Sequence, residues 1–147
     1  MTENELEDLK ESLKKLYFFS SSYIKNYNLF LDSFELSSFE AGTKIIKQRE
    51  LGNAFYLIYE GSVTISKSPF YFLSEKPIAE LSAGSFFGEM SLLNSEHKHT
   101  ASVIAKTDVR IFILKSPHIY TLIKNNPTFK EQLQNEARKR LEKNKAK

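Results

Sequence analysis

The run Leu81-Ser82-Ala83-Gly84-Ser85-Phe86-Phe87-Gly88-Glu89-Met90-Ser91-Leu92-Leu93 carries the densest chemical information in the chain. It leaves a strand-like segment, turns at Gly84 and enters a short stretch of helix-forming residues. The first amides of a helix have no intrahelical partner and carry partial positive charge. Such a turn is therefore suited to an anion, and Gly88 lets the backbone approach a ligand closely. Glu89 does not suit bare phosphate, which a carboxylate repels. It suits a hydroxyl donor beside the phosphate, and a sugar phosphate presents both groups.

Outward from this run the chain reads as short strands separated by turns. Thr43–Ile46, Ala54–Tyr59, Ser62–Ser66, Ile78–Leu81, Ala101–Ala105 and Val109–Leu114 are rich in β-branched and aromatic residues. Gly42, Gly52-Asn53, Gly61, Pro69, Pro77 and Gly84 punctuate them. Frequent turns between short strands predict an antiparallel roll or barrel, with Lys67 to Lys76 as a loop or hairpin tip. At the amino end, Thr2 and Glu5 have capping-box spacing. Leu6, Leu9, Leu13 and Leu16 then share one helical face, predicting a helix over residues 3–18. A second helical stretch is expected at Tyr23 to Leu31. After the roll, Ser116-Pro117 places a cap residue before a proline at the first helical position. Asn125-Asn126 stops that helix, and Asn126-Pro127 starts another with Phe129, Leu133, Ala137 and Leu141 at four-residue spacing. The fold class is thus mainly β with flanking helices: an antiparallel, jelly-roll-like β-roll with an N-terminal helix and C-terminal helices. One domain of 147 residues is expected, with a helical segment at 1–31, the roll at 36–115 and the closing helices at 116–147.

Composition narrows the function. With 41% hydrophobic and 13% aromatic residues the chain can fill a core. It has no cysteine, so disulfides, thiol catalysis and thiolate metal sites are excluded. The acidic, polar amino end is not a signal peptide, and no apolar run approaches the roughly 18 residues of a membrane span. A cytoplasmic protein without a membrane partner is the expectation. The basic tail Arg138 to Lys147 reads as a solvated, fraying helix end rather than a nucleic-acid arm.

Phe87-Gly88-Glu89-Met90-Ser91-Leu92-Leu93, followed by His99-Thr100-Ala101-Ser102-Val103, resembles the phosphate-binding cassette of cyclic nucleotide-binding domains. That family includes the catabolite activator protein, protein kinase A regulatory subunits and cyclic nucleotide-gated channels. Upstream, Ala41 to Val63 resembles the family's first roll strands, with Gly42, Gln48, Gly52, Tyr56, Ile58 and Gly61 in place. The resemblance implies a double-stranded β-roll that binds cAMP or cGMP, without catalysis or cofactor. It implies that Glu89 accepts the ribose 2′-hydroxyl and that amides near Gly88, Met90 and Ser91 face the cyclic phosphate. Thr100 would offer its hydroxyl to the phosphate or the purine edge, and the final helix from Pro127 would close over the base. The ligand-binding set is therefore Gly88, Glu89, Met90, Ser91, His99 and Thr100.

Two positions depart from the family pattern. His99 stands where the family has a phosphate-binding arginine. Arginine presents a permanently charged fork, whereas histidine offers a single donor per face. Losing a charge-assisted hydrogen bond of roughly 1.5–3 kcal/mol weakens binding by about ten- to a hundred-fold. Arg49 stands in a turn where the family usually has glycine. Three readings follow. The first is a stand-alone regulatory module that binds a cyclic nucleotide and relays it through the C-terminal helix to a protein partner. The second is a ligand-independent interaction or dimerisation domain on the same scaffold, with the outer part of the last helix as a homodimer seam. The third is a metal-dependent β-roll enzyme using His97 and His99, for which Glu96 and His118 are poorly placed. About thirty residues follow the roll, too few for an added DNA-binding domain. Phe70-Tyr71-Phe72 reads as packing, or as an interaction patch should it prove exposed.

Overall fold

The computed structural model describes residues 1–145. In chain order the elements are α1 (Glu3–Lys14), a 3-10 turn (Tyr17–Phe19), α2 (Tyr27–Asp32), β1 (Phe34–Phe39), β2 (Lys44–Ile46), β3 (Ala54–Glu60), β4 (Ser62–Lys67), β5 (Lys76–Ser82), β6 (Phe86–Phe87), α3 (Glu89–Leu93), β7 (Ser102–Ala105), β8 (Val109–Lys115), α4 (His118–Asn125) and α5 (Pro127–Lys145). The strands form two four-stranded antiparallel sheets, ordered β1-β8-β3-β6 and β2-β7-β4-β5. This is the β-roll with flanking helices that the turn-punctuated sequence predicts.

Period-two alternation decides which core each side chain enters. Along β8, Ile111 and Ile113 face the interior of the roll, while Phe112 and Leu114 face the helices. Along β3, Ala54 and Ile58 go inward, while Phe55 and Leu57 go outward. The helical layer meets that outer face with Leu9, Leu13, Phe18, Phe19, Phe129 and Leu133, none more than 1% exposed. Burial of β3 and β8 on both faces explains why both read as nearly unbroken apolar runs.

The structure corrects several expected boundaries. The Thr2–Glu5 capping box forms, with each residue's side chain accepting the other's backbone N–H. Helix α1 nevertheless ends at Lys14 rather than at residue 18, because Leu16 is extended and a 3-10 turn follows. A continuing α-helix turns about 100° per residue and would carry Phe18 and Phe19 apart, whereas the break buries both rings. The second helix starts at Tyr27, after a left-handed Asn26 with φ of 55°. Strand β1 is an edge strand whose apolar alternation is interrupted at Ser37-Ser38, and two-residue β6 is too short to leave a periodic signal. Ser116 is not a helix cap. Its N–H extends the pairing between β3 and β8 by donating to the Asn53 carbonyl at 2.8 Å. Pro117 is the capping position, without a side-chain hydrogen bond, and α4 starts at His118.

The stop between α4 and α5 behaves as expected. Asn126 is 7% exposed, donates to the Leu122 carbonyl at 2.9 Å and accepts from the Lys25 N–H at 3.2 Å. It thereby fixes the direction in which α5 leaves. Helix α5 then runs past the 3-10 turn and α3. The Leu141 end of the expected four-residue stripe lies outside the described side chains.

Candidate functional site

Strand β6 delivers the chain to the site with its two rings on opposite faces. Phe86 joins the helical core, and Phe87 joins the interior of the roll. Phe87 stacks on Tyr56 with centroids 4.8 Å apart and planes 3° from parallel. Gly88 follows at φ of 90°, a conformation that side chains rarely adopt. A Cβ there would lie 2.7 Å from the Tyr56 ring. Both constraints demand glycine, and together they swing the chain into the five-residue helix α3.

A cavity of about 410 Å³ opens beside that turn. Ile46, Ile65, Leu81 and Val103 give it an apolar wall. Gly88, Glu89, Met90, Ser91, His99 and Thr100 line it as well, and Arg140 borders it from α5. All six residues expected from the sequence thus border one space. Glu89 is 3% exposed. Its Oε1 accepts from Arg140 Nη1 at 2.8 Å, while Arg140 Nη2 donates to the Phe86 carbonyl at 2.7 Å. The guanidinium lies over the Phe86 ring, 3.8 Å from its centroid. A buried carboxylate needs such a partner, and it retains further acceptor capacity because its two oxygens offer about four sites. Ser91 is fully buried, and its hydroxyl donates to the Gly88 carbonyl at 2.9 Å. Its side chain therefore braces the turn.

His99 is held by its backbone, whose N–H donates to the Glu50 carbonyl and whose carbonyl accepts from the Arg49 N–H, both at 2.9 Å. Burial lowers its pKa, while nearby Glu50 raises it. Gly52 packs directly under His99 and Ser91, where a Cβ would collide with both. The two histidines of the metal reading are engaged separately. His97, at φ of 54°, places Nδ1 3.2 Å from the Ser91 carbonyl and 3.5 Å from the Tyr120 hydroxyl, whereas His99 lines the cavity. Lys98 is exposed and lies 3.7 Å from Glu96, away from the cavity lining.

Arg140 is the residue that sequence reasoning missed. The basic tail was expected to be solvated, and Arg138 and Lys139 are exposed. Arg140 is half-buried in the site instead. The available signal was its spacing: three residues after Ala137, it shares the face of Phe129, Leu133 and Ala137.

Two antiparallel four-stranded sheets with flanking helices, and a cavity beside the glycine turn, place the chain in the β-roll class of folds. The chain belongs to the cyclic nucleotide-binding domain family, whose model matches residues 36–126. It is 35% identical over 96 residues to the cGMP-dependent protein kinase of Plasmodium berghei, a match covering 65% of this chain and 10% of the kinase. Among solved structures it is similar to the regulatory domain of Toxoplasma gondii PKA with cAMP, at 28% identity and TM-score 0.67, covering 75% of this chain and 41% of that one. It is also similar to the Thermus thermophilus catabolite activator protein, at 29% identity and TM-score 0.70, covering 86% and 58%. The chain therefore spans only about a tenth of the kinase's length. It resembles the regulatory, non-catalytic domains of such proteins. Arg140 lies beyond the matched segment.

Proposed function

We propose that this chain is a regulatory module that binds cAMP or cGMP in the cavity beside α3 and relays occupancy through α5 to a protein partner. Glu89 accepts the ribose 2′-hydroxyl. The amides from Gly88 to Ser91 face the cyclic phosphate, with His99 and Thr100 as the neighbouring side-chain donors. The observation that carries this reading is Glu89: a carboxylate that is 3% exposed, at the wall of a cavity, next to an anion-suited turn. The Plasmodium and Toxoplasma relatives, named for cGMP and cAMP, support the ligand class.

The relay follows from the same carboxylate. Arg140 joins α5 directly to Glu89, so a sugar hydroxyl arriving at Glu89 meets the helix through one side chain. Only contacts that differ between the empty and occupied states can drive a shift of α5, and this one is placed to differ. Calorimetric titration with cAMP and with cGMP tests the proposal. Saturable binding that Glu89→Ala weakens at least about ten-fold supports it, since hydrogen bonds to charged groups contribute roughly 1.5–3 kcal/mol.

One observation favours a second reading, in which the fold persists as a ligand-independent interaction or dimerisation domain. Glu89 is paired with Arg140, and the cationic arginine of the family is replaced by a partly desolvated histidine. Absence of binding for both nucleotides at millimolar concentration would select that reading.

A further inference from the structure

The loop joining β4 to β5 departs from the usual partition of apolar side chains. Phe70, Tyr71, Phe72 and Leu73 are consecutive and 56%, 83%, 70% and 46% exposed. They form an ordered tip. Phe70 and Phe72 stack with centroids 5.5 Å apart and planes 9° from parallel, and Tyr71 stands edge-on to Phe72 at 5.4 Å. The Leu73 N–H closes the turn on the Phe70 carbonyl at 3.0 Å.

The base of the loop is bolted to the roll. Ser68 is 2% exposed. Its N–H donates to Gln48 Oε1 at 2.9 Å, and its carbonyl accepts from Gln48 Nε2 at 3.0 Å and from Arg49 Nη2 at 3.1 Å. Its hydroxyl donates to the Phe70 carbonyl at 2.7 Å. This accounts for Arg49 where a glycine was expected. The residue sits at φ of 76°, which glycine would adopt freely, and its side chain is used to hold the aromatic loop.

A basic collar surrounds the neck. Lys67 and Lys76 are directly opposed across the hairpin, and both are exposed. Like charges in that register are unfavourable unless an anion lies nearby. Lys47 is exposed and lies near Glu75, a carboxylate already engaged by Lys44 and Ser102. Aromatic rings belong at the interfacial depth of a bilayer, and lysines belong at anionic headgroups.

We infer that this loop docks the protein on the surface of a bilayer containing anionic phospholipid, with the aromatic tip in the interfacial zone and the lysines over the headgroups. The tip is small for a protein partner. Aromatic side chains carry roughly 150–250 Å² each, so the exposed patch is roughly 400–600 Å², below the approximately 800 Å² each partner contributes to a standard interface. A narrow tip suits a soft surface better than a flat one. The expectation of no membrane partner rested on the lack of a spanning segment. No helix among the described residues is long and apolar enough to cross a membrane, and surface docking needs none. Apart from Lys67, the loop and its collar lie outside the cavity lining, so the inference does not rest on what the cavity holds.

The chain contains no tryptophan, so Tyr71→Trp places a single fluorophore on the tip. The full chain is titrated with vesicles of phosphatidylcholine alone and of phosphatidylcholine with phosphatidylserine, and is followed by emission and by flotation. The expected result is a blue shift and flotation with the anionic vesicles, reversed by high salt, and at least about ten-fold weaker binding to neutral vesicles. In the unlabelled chain, Phe70→Ser/Phe72→Ser and, separately, Tyr71→Asp abolish flotation. Lys47→Glu/Lys76→Glu weakens it by at least about ten-fold and leaves Lys67, which lines the cavity, in place. No blue shift with either vesicle overturns the inference, as does equal binding to neutral vesicles. A blue shift without lipid, accompanied by dimers in sedimentation, overturns it in favour of a protein contact.

Discussion

The two sheets contain the same number of strands but are buried differently. The central strands of the first, β3 and β8, pack against the interior of the roll on one face and the helices on the other. The second sheet contributes Ile46, Val63 and Val103 to the interior of the roll and no residue to the core it shares with the helices among those described. No residue of β5 is buried: four of its seven are exposed and three half-buried. Much of the cavity's apolar wall and the whole aromatic loop belong to this second sheet. The division places stability in one sheet and adjustable surface in the other. Side chains that face a cavity or solvent can change with little loss of packing, whereas those packed on both sides cannot.

Truncating one residue in each sheet gives the largest test of that difference. Phe112 is fully buried against the helices, and Phe112→Ala is expected to cost about 3–5 kcal/mol through lost transfer energy and a residual void. Ile65 already borders the cavity and is half-buried. Ile65→Ala is expected to cost less than about 2 kcal/mol and to enlarge the space available to a ligand. Urea denaturation of both variants with unchanged m-values provides the comparison. Equal losses would mean that the second sheet is as tightly integrated as the first.

The second test concerns the join between α5 and α3. Arg140→Ala leaves the Glu89 carboxylate buried without its cation, at an expected cost of about 1–3 kcal/mol. Arg138→Ala changes an exposed residue two positions earlier on the same helix and is expected to stay within about 0.5 kcal/mol. Thermal denaturation of the empty protein distinguishes the two. Equal effects would remove Arg140 from the set of groups that hold the helix to the site.

How readily each feature could be read from sequence followed its physical scale. The roll was legible because its strands are short, β-branched and separated by glycine and proline, all of which act locally. Glu89 was legible because Gly88 and the helix-forming run beside it fix its setting within a few residues. The early end of α1 was not legible, because it depends on burying Phe18 and Phe19 against Phe55, Phe86 and Phe129 from distant parts of the chain. Arg140 was hidden for a related reason. A basic residue near a helix end is usually solvated, and only the tertiary path of α5 brings it to Glu89, 51 residues away in sequence. The significance of Arg49 likewise required its contact with Ser68.

The smallest expected effect contrasts His99 with His97. Burial holds the His99 imidazole below its ordinary pKa, opposed in part by Glu50, which favours the neutral form. The unfolded chain takes up this proton first as pH falls below about 6.5. That contribution to stability therefore declines through the window between about 6.5 and the lower folded value. A bound cyclic phosphate reverses the preference locally, because an adjacent anion favours the charged imidazole. Binding must then take up a proton, and affinity must rise as pH falls from about 8 towards about 5.5, by up to about ten-fold per unit of pKa change. His97 rests on Ser91 and Tyr120 rather than lining the cavity, so His97→Gln preserves the slope while His99→Gln abolishes it. His99→Arg supplies a charge independent of pH and is expected to tighten binding while flattening the slope. An affinity that does not vary with pH in the parent chain would show that His99 does not contact the phosphate, leaving the amides of α3 to hold it alone.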